Sequence, residues 1–321
     1  MKKVVVVGGG TGNFTVLKGL KEYDLDLSAV VSMSDSGGST GALRDELGVL
    51  PPGDVRQCLV ALSNSSRLMR DLMNYRFENG NLGGHSFGNL LLSALEKVTG
   101  SFEKAIEEVG KILFIKGQVI PVTMNQVNLK MQLCGNRLLN GEKEIYVSTE
   151  IDRGYEKIFL DPFPKVNPEV IKSLGEADMI VLGPGGLYTS VISNLLVEGV
   201  AGAIAASRAK KVFIVNLMNR KGQTTGYKVS DTLKEVVRFL GKDVFDHILV
   251  NRGKPAKEQI RAYEAEGGLI ENDMQEDPRV IAADLLGPLA GVFKNDLMAR
   301  SLIRHDSVKL ANELVKIVNN I

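Results

Sequence analysis

Four loops in this chain carry residues suited to chemistry, and each follows a short apolar run. Gly8-Gly9-Gly10-Thr11-Gly12 puts four glycines into five positions. Glycine leaves backbone N–H groups open to close approach, and a helix starting there adds a field that favours an anion. Gly9, Gly10, Thr11, Gly12 and the adjacent Asn13 are therefore candidates to hold a phosphate. Two familiar phosphate motifs do not continue here. Counted from Gly8, G-x-G-x-x-G puts Asn13 where the third glycine belongs, and no Gly-Lys-Ser/Thr follows for a P-loop. The broken fingerprint also argues against a plain nicotinamide-dependent dehydrogenase.

The second loop, Ser34-Asp35-Ser36-Gly37-Gly38-Ser39-Thr40-Gly41, offers a carboxylate, hydroxyls and more open backbone. Asp35 suits a ribose hydroxyl, or a metal held through a phosphate. Ser36, Gly37 and Gly38 suit phosphate oxygens. Pro51-Pro52-Gly53-Asp54-Val55-Arg56-Gln57 precedes a helix. Locally Asp54 reads as an N-cap, with Gln57 three residues on completing a capping-box pattern. The chemical alternative makes Asp54 a second carboxylate for Mg²⁺, which takes one or two carboxylates together with phosphate oxygens.

Gly84-His85-Ser86-Phe87-Gly88 matches the G-x-S-x-G nucleophile elbow. That motif needs a strand just before the serine, and residues 77–83 do not read as one. Ser86 is better read as a helix cap, with His85, Ser86 and Asn89 near a helix start that a ligand can reach. The third loop, Gly183-Pro184-Gly185-Gly186, again lies between a strand and a helix, which places Gly183 and Gly185 beside a ligand. The fourth begins at Asn216 and continues through Arg220 and Lys221, which carry charge suited to phosphate. Arg304, just before the last helix, is a weaker anion candidate.

These loops need a scaffold that brings them together. Strand patterns fall at Lys3–Val7, Leu27–Met33, Met179–Leu182, Val212–Leu217 and Ile248–Val250, with helical patterns between them. The alternation predicts a doubly wound α/β fold with a mostly parallel sheet covered on both faces. In such sheets ligands bind at the carboxyl ends of the strands. Residues 54–114 read instead as consecutive helices, a lobe inserted into a single α/β domain spanning 1–321. Val119–Val147 reads as β-rich, with Asn140-Gly141 as a hairpin turn. A final helix runs over about 306–318.

Composition narrows the classes. The chain has 321 residues, 44% hydrophobic and 24% charged, which is globular rather than disordered. Lysine plus arginine is 39 against 38 for aspartate plus glutamate, a net +1, so nucleic acid is not an expected partner. Two cysteines cannot build a disulfide framework or a four-cysteine zinc site. No apolar run reaches the roughly 18 residues of a membrane span, and no signal peptide is read at the start. Cytoplasmic placement is the expectation, with a homodimer as the default assembly.

Taken in order, GGGTG, SDSGGSTGALR, PPGDVRQ, GHSFGNLLLSAL, GPGGLYTS, the NLM segment and IRHD resemble the gluconeogenesis-factor (YvcK-type) family of the CofD-like superfamily. The resemblance spans nearly the whole chain. It implies a three-layer Rossmann-like (CofD-like) fold and a cytoplasmic bacterial protein that binds UDP-sugars, notably UDP-N-acetylglucosamine. It also implies a role in growth on gluconeogenic carbon sources and in cell shape and cell-wall (peptidoglycan) synthesis, through a regulatory or cell-wall-synthesis partner. A related transferase branch joins a phospholactyl group from a guanosine diphosphate donor to a deazaflavin precursor with Mg²⁺. The metal-associated aspartates of that branch fall at Asp35 and Asp54. Two readings therefore stand: a nucleotide-sugar-binding regulator, and a Mg-dependent phosphotransferase related to 2-phospho-L-lactate transferase. The chain departs from the transferase pattern in its serine- and glycine-rich SDSGGSTG loop. It departs from the YvcK-type pattern at Asn13, where leucine is usual, and at Asn219-Arg220, where threonine-glutamine is usual.

Overall fold

The computed structural model describes residues 1–256, 260, 267–288 and 303–321. Its centre is the valine run at the start of the chain. Val4, Val5, Val6 and Val7 lie in strand β1 (Lys2–Gly8) and are all buried. A strand covered on both faces needs apolar residues at every position rather than at alternate ones. The same holds for β7 (Met179–Leu182), which pairs with β1 in parallel.

Seven strands form the main sheet in the order β10-β9-β8-β7-β1-β2-β3, and every pairing is parallel. These are β2 (Leu25–Val31), β3 (Gln118–Pro121), β8 (Lys210–Ile214), β9 (His247–Asn251) and β10 (Val280–Ala283) beside the two already named. The chain winds from β1 to β3 in one direction and from β7 to β10 in the other. The order therefore reverses between β1 and β7, and that crevice is where a doubly wound sheet binds its ligand.

Helices cover both faces. Helix α1 (Gly10–Leu20) packs on α3 (Gly53–Leu62) and on the last helix, α12 (Ser307–Asn319). The fit to α12 is close, since a Cβ on Gly19 would sit 2.0 Å from the Ser307 carbonyl oxygen. Helices α8 (Pro168–Glu176), α10 (Val200–Ala206) and α11 (Val229–Leu240) pack together as a second group. Between β2 and β3 run α2 (Gly38–Leu47), α3, α4 (Arg67–Asn74), α5 (Phe87–Thr99) and α6 (Phe102–Leu113). Among the described residues no single helix is long and apolar enough to cross a membrane.

One local expectation fails. Asn140-Gly141 is not a hairpin turn. It ends β5 (Leu138–Asn140), and Gly141 at φ +92° starts a short helix, α7 (Glu142–Val147). The turn of that hairpin lies earlier, where Gly135 and Asn136 both take positive φ between β4 (Asn128–Leu133) and β5. The dipeptide has the right residues for a tight turn, but the strand it would return on is replaced by α7. The hairpin pairs instead with β6 (Tyr155–Asp161) to make a separate antiparallel sheet, β5-β4-β6.

Candidate functional site

The loops after β1, β2, β7 and β8 meet in one cleft of about 310 Å³ at the carboxyl edge of the main sheet. Its floor is backbone. A Cβ on Gly12 would lie 1.7 Å from the Pro184 carbonyl oxygen, so the first and third glycine loops touch at a point where no side chain fits. Asn216 holds the third loop flat. Its Oδ1 accepts from the Gly185 N–H at 3.0 Å and its Nδ2 donates to the Gly185 carbonyl at 2.7 Å. From behind, Asn194 Nδ2 donates to the Gly8 carbonyl at 2.9 Å.

Four helices begin at this floor. The N-cap positions of α1, α2 and α3 are Gly9, Gly37 and Pro52, and none receives a side-chain cap. The fourth, α9, runs through a π-helical stretch, Leu187–Ile192, into Ser193–Leu195 and starts uncapped at Gly186. An uncapped helix start leaves orphan N–H donors that an anion can satisfy. By contrast, Ser66, Ser86, Ser101, Asn167 and Asp306 cap α4, α5, α6, α8 and α12 with their own side chains. Three helices fall outside the contrast: α7 and α10 start uncapped at Gly141 and Gly199, and at the start of α11 the Lys228 N–H donates to Asp231 Oδ2 at 3.0 Å.

The walls are side chains of both signs. Asp35 accepts from the Gly37 N–H at 2.8 Å, which closes the second loop into a tight turn. Asp54 is not a cap. It lies inside the first turn of α3, with its carboxylate against Gly9, where an added Cβ would sit 2.4 Å from Oδ2. Pro52 occupies the cap position, because the helix starts earlier than the Asp-x-x-Gln spacing suggests. Glu142, from α7, reaches down to hydrogen-bond with Asp35 and Thr189. Its pKa is raised well above the usual carboxylate range, first by burial and then by the charges of Asp35 and Asp54, which makes it a weaker acid.

Four arginines line the same cleft: Arg56, Arg76, Arg220 and Arg304. Arg56 is buried and donates from Nε to Asn89 Oδ1 at 2.9 Å, while Asn89 Nδ2 donates to Ser39 Oγ at 3.2 Å. Arg220 lies flat on the Tyr146 ring, 3.4 Å from its centroid. His305 is on the far wall. One ring nitrogen donates to the Val215 carbonyl, and Nε2 is buried without a partner. Burial pulls its basicity down to about 4, so it is neutral near pH 7.

Of the residues singled out from the sequence, Gly9, Gly10, Thr11, Gly12, Asp35, Gly37, Gly38, Asp54, Asn89, Gly185, Asn216 and Arg304 come together here. Five stand back from it. Asn13 is fully buried under the first loop, with Nδ2 donating to the Val30 carbonyl at 3.4 Å. Ser36 faces the start of α7 at Gly141. His85 is one residue behind the wall, with Nδ1 3.1 Å from Ser39 Oγ. Ser86 is buried and caps α5, its Oγ accepting from the Asn89 N–H at 3.3 Å. Gly183 turns the chain into the third loop at φ +71°. Glu142, Tyr146 and His305 were missed. The first two sit on α7, in a stretch that reads as strand and turn, and nothing in the local pattern marks them.

Comparison with known proteins agrees with this fold. Residues 4–286 match the family described as CofD, 2-phospho-L-lactate transferase. The chain is 42% identical over 317 residues to the gluconeogenesis factor of Halalkalibacterium halodurans, covering 98% of this chain and 96% of that one. It is 38% identical to the gluconeogenesis factor of Bacillus subtilis, covering 98% of each. A crystal structure of a UPF0052-family protein from Bacillus halodurans superposes with a TM-score of 0.87 at 36% identity, again over 98% of both chains.

Proposed function

The chain belongs to the CofD family, among the gluconeogenesis factors, and from that premise we propose that it is a regulatory protein binding a nucleotide sugar of the UDP-N-acetylglucosamine kind. The observation that carries the reading is the cleft floor: glycine loops in contact, four uncapped helix starts and arginines on the walls. A diphosphate would take the open N–H groups, and the carboxylates would accept from ribose or sugar hydroxyls. Binding would change a surface read by a cell-wall-synthesis or regulatory protein in the cytoplasm. That role accords with growth on gluconeogenic carbon sources and with control of cell shape.

One observation favours a second reading, a Mg-dependent phosphotransferase. Asp35 and Asp54 line the same cleft as the phosphate-suited floor. Among the described residues no three His, Cys, Asp or Glu side chains are grouped as a metal site. Two carboxylates with phosphate oxygens are nonetheless a donor set that Mg²⁺ accepts. Bound there, the ion would neutralise charge on a leaving phosphate.

A thermal-shift series separates the two. UDP-N-acetylglucosamine, UDP-glucose, GDP and NAD are each added with and without Mg²⁺. A ligand at 100 times its dissociation constant stabilises a fold by about 2.7 kcal/mol. Stabilisation by the UDP-sugars that does not need Mg²⁺ is the expected result. Mg²⁺-dependent stabilisation by GDP alone would favour the transferase, and no response to any of the four would reject both.

A further inference from the structure

Helix α4 turns little of itself inward. Of its eight residues only Met73 is buried, and Met69, one turn earlier, packs partly on the core. The outer side carries Leu68, Leu72 and, at the residue that ends the helix, Tyr75, which are 78%, 38% and 50% exposed. Spacings of four and three residues place them on one stripe. Single exposed apolar residues are ordinary, whereas apolar residues that join into a patch mark an interaction surface. Leu82, also exposed, follows in the loop that returns to α5. That loop is folded on itself. The Phe77 N–H donates to the His85 carbonyl at 2.9 Å, and the Gly84 and Phe87 N–H groups donate to the Phe77 and Tyr75 carbonyls, both at 2.8 Å. The Tyr75 and Phe77 rings meet edge to face, 5.2 Å between centroids. The patch is therefore formed before any partner arrives.

An ion pair flanks the stripe. Arg67 Nε lies 3.5 Å from Asp71 Oδ2, one turn on, and the two side chains are 90% and 66% exposed. A pair this open adds little to the helix itself. Its signs decide what can cover the stripe. A two-fold axis across the middle of α4 would lay a second α4 antiparallel on the first. Leu68 of each copy would then meet Leu72 of the other, and Arg67 of each would stand beside Asp71 of the other. Parallel helices would instead set Arg67 against Arg67 and Asp71 against Asp71. The stripe and its flanking charges are complementary to themselves in one orientation, which is what an isologous contact requires.

We propose that α4 and the loop after it form a dimer contact, occupied by a second copy of this chain packed antiparallel through Leu68, Leu72 and Tyr75. Three side chains and Leu82 from each copy cover less than the about 800 Å² per partner of a standard interface, so the association is reversible, with a dissociation constant on the order of 10 μM. The contact adjoins the cleft, since Arg76 follows Tyr75 directly and is one of the cleft's wall residues. It does not depend on what the cleft binds.

Sedimentation of the full chain across protein concentration is the test. Wild type is expected to pass from monomer to dimer in the micromolar range. Leu68→Glu should weaken the dimer by at least about 10-fold, because it puts a charge into an apolar contact. Its thermal unfolding should match wild type, since the side chain is exposed on the single copy. Arg67→Glu and Asp71→Arg should each lower self-association by about 10-fold, because each sets like charges across the two-fold axis. Mixed in equal amounts, these two variants should associate with each other about as well as wild type does with itself. Every charge contact between the copies then joins opposite signs, although the pair within each helix stays broken. A wild type still monomeric at about 200 μM, well above the expected constant, would overturn the proposal. So would a dimer that Leu68→Glu leaves intact, which would place the contact on another surface. A mixture of the charge variants that associates no better than either alone would overturn it as well, since the antiparallel arrangement requires that pairing.

Discussion

Two groups of helix starts in this molecule are made differently. Those at the cleft, α1, α2, α3 and α9, begin at glycine or proline without a side-chain cap. Those at α4, α5, α6, α8 and α12 are closed by serine, asparagine or aspartate. A side-chain cap satisfies orphan N–H groups permanently and contributes about 1 kcal/mol. Leaving it out gives up that stability and keeps the donors available for something that comes and goes. A missing cap alone does not mark a ligand site, since α10 lacks one away from the cleft; what sets the cleft apart is that four such starts converge on one floor.

The sharpest way to break the comparison is to add one methyl group to the floor. In Gly12→Ala the new Cβ would meet the Pro184 carbonyl oxygen at 1.7 Å, so one of two backbone segments must move. Overpacking against backbone should cost about 3 kcal/mol, the upper end of its usual range, and nucleotide binding should disappear. Gly175→Ala is the control. Gly175 is in α8 with nothing within 4 Å of the added atom, so the same change should raise stability by about 0.5–1 kcal/mol. Urea denaturation reads both. A Gly12→Ala protein as stable as wild type would mean that the loops do not support each other.

The floor was legible because glycine clusters and apolar runs are local signals, and the β1 and β7 loops carry both. The parallel sheet followed from the valine run and the alternation of strand and helix patterns. The walls were legible only in part: Asp35, Asn89 and Arg304 were singled out and line the cleft. Glu142 and Tyr146 reach the cleft only because α7 follows a two-stranded hairpin that the sequence presents as ordinary strand and turn. Asp54 was visible as a residue, but its spacing to Gln57 mimics a capping box, so its local reading pointed away from the cleft. Asn13 failed in the other direction. It follows the first glycine loop directly, yet the turn of α1 carries it into the core beneath Val30.

The same contrast extends to pH. The glycine floor carries no titratable side chain, whereas the far wall carries His305. Its folded value lies near 4 against an ordinary 6.5, so the folded state binds fewer protons between those values. Stability from this residue is therefore complete above pH 6.5 and is lost as the pH falls through about 4. At about 1.4 kcal/mol per unit, the loss is on the order of 3 kcal/mol. Glu142 acts in the opposite sense, because its raised folded value makes its contribution fall as the pH rises above the ordinary carboxylate range. The quantity to measure is thus the difference in unfolding free energy between wild type and His305→Gln from pH 7 to pH 4. That difference should shrink towards acid. Parallel curves would show that His305 titrates normally and is not enclosed.

The smallest effect tests the capped helices. Ser86→Ala removes the hydroxyl that accepts from the Asn89 N–H at 3.3 Å. The cost should be about 1 kcal/mol, the usual value of a cap. Because Ser86 is buried and stands behind the cleft wall, nucleotide binding should follow stability alone: any loss of affinity should vanish when both proteins are fully folded. A larger loss of binding than of stability would move Ser86 from the outer set of helix starts to the inner one. The reason would then be physical and local, since Asn89 connects Ser86 to Arg56 and Ser39, and both of those line the cleft.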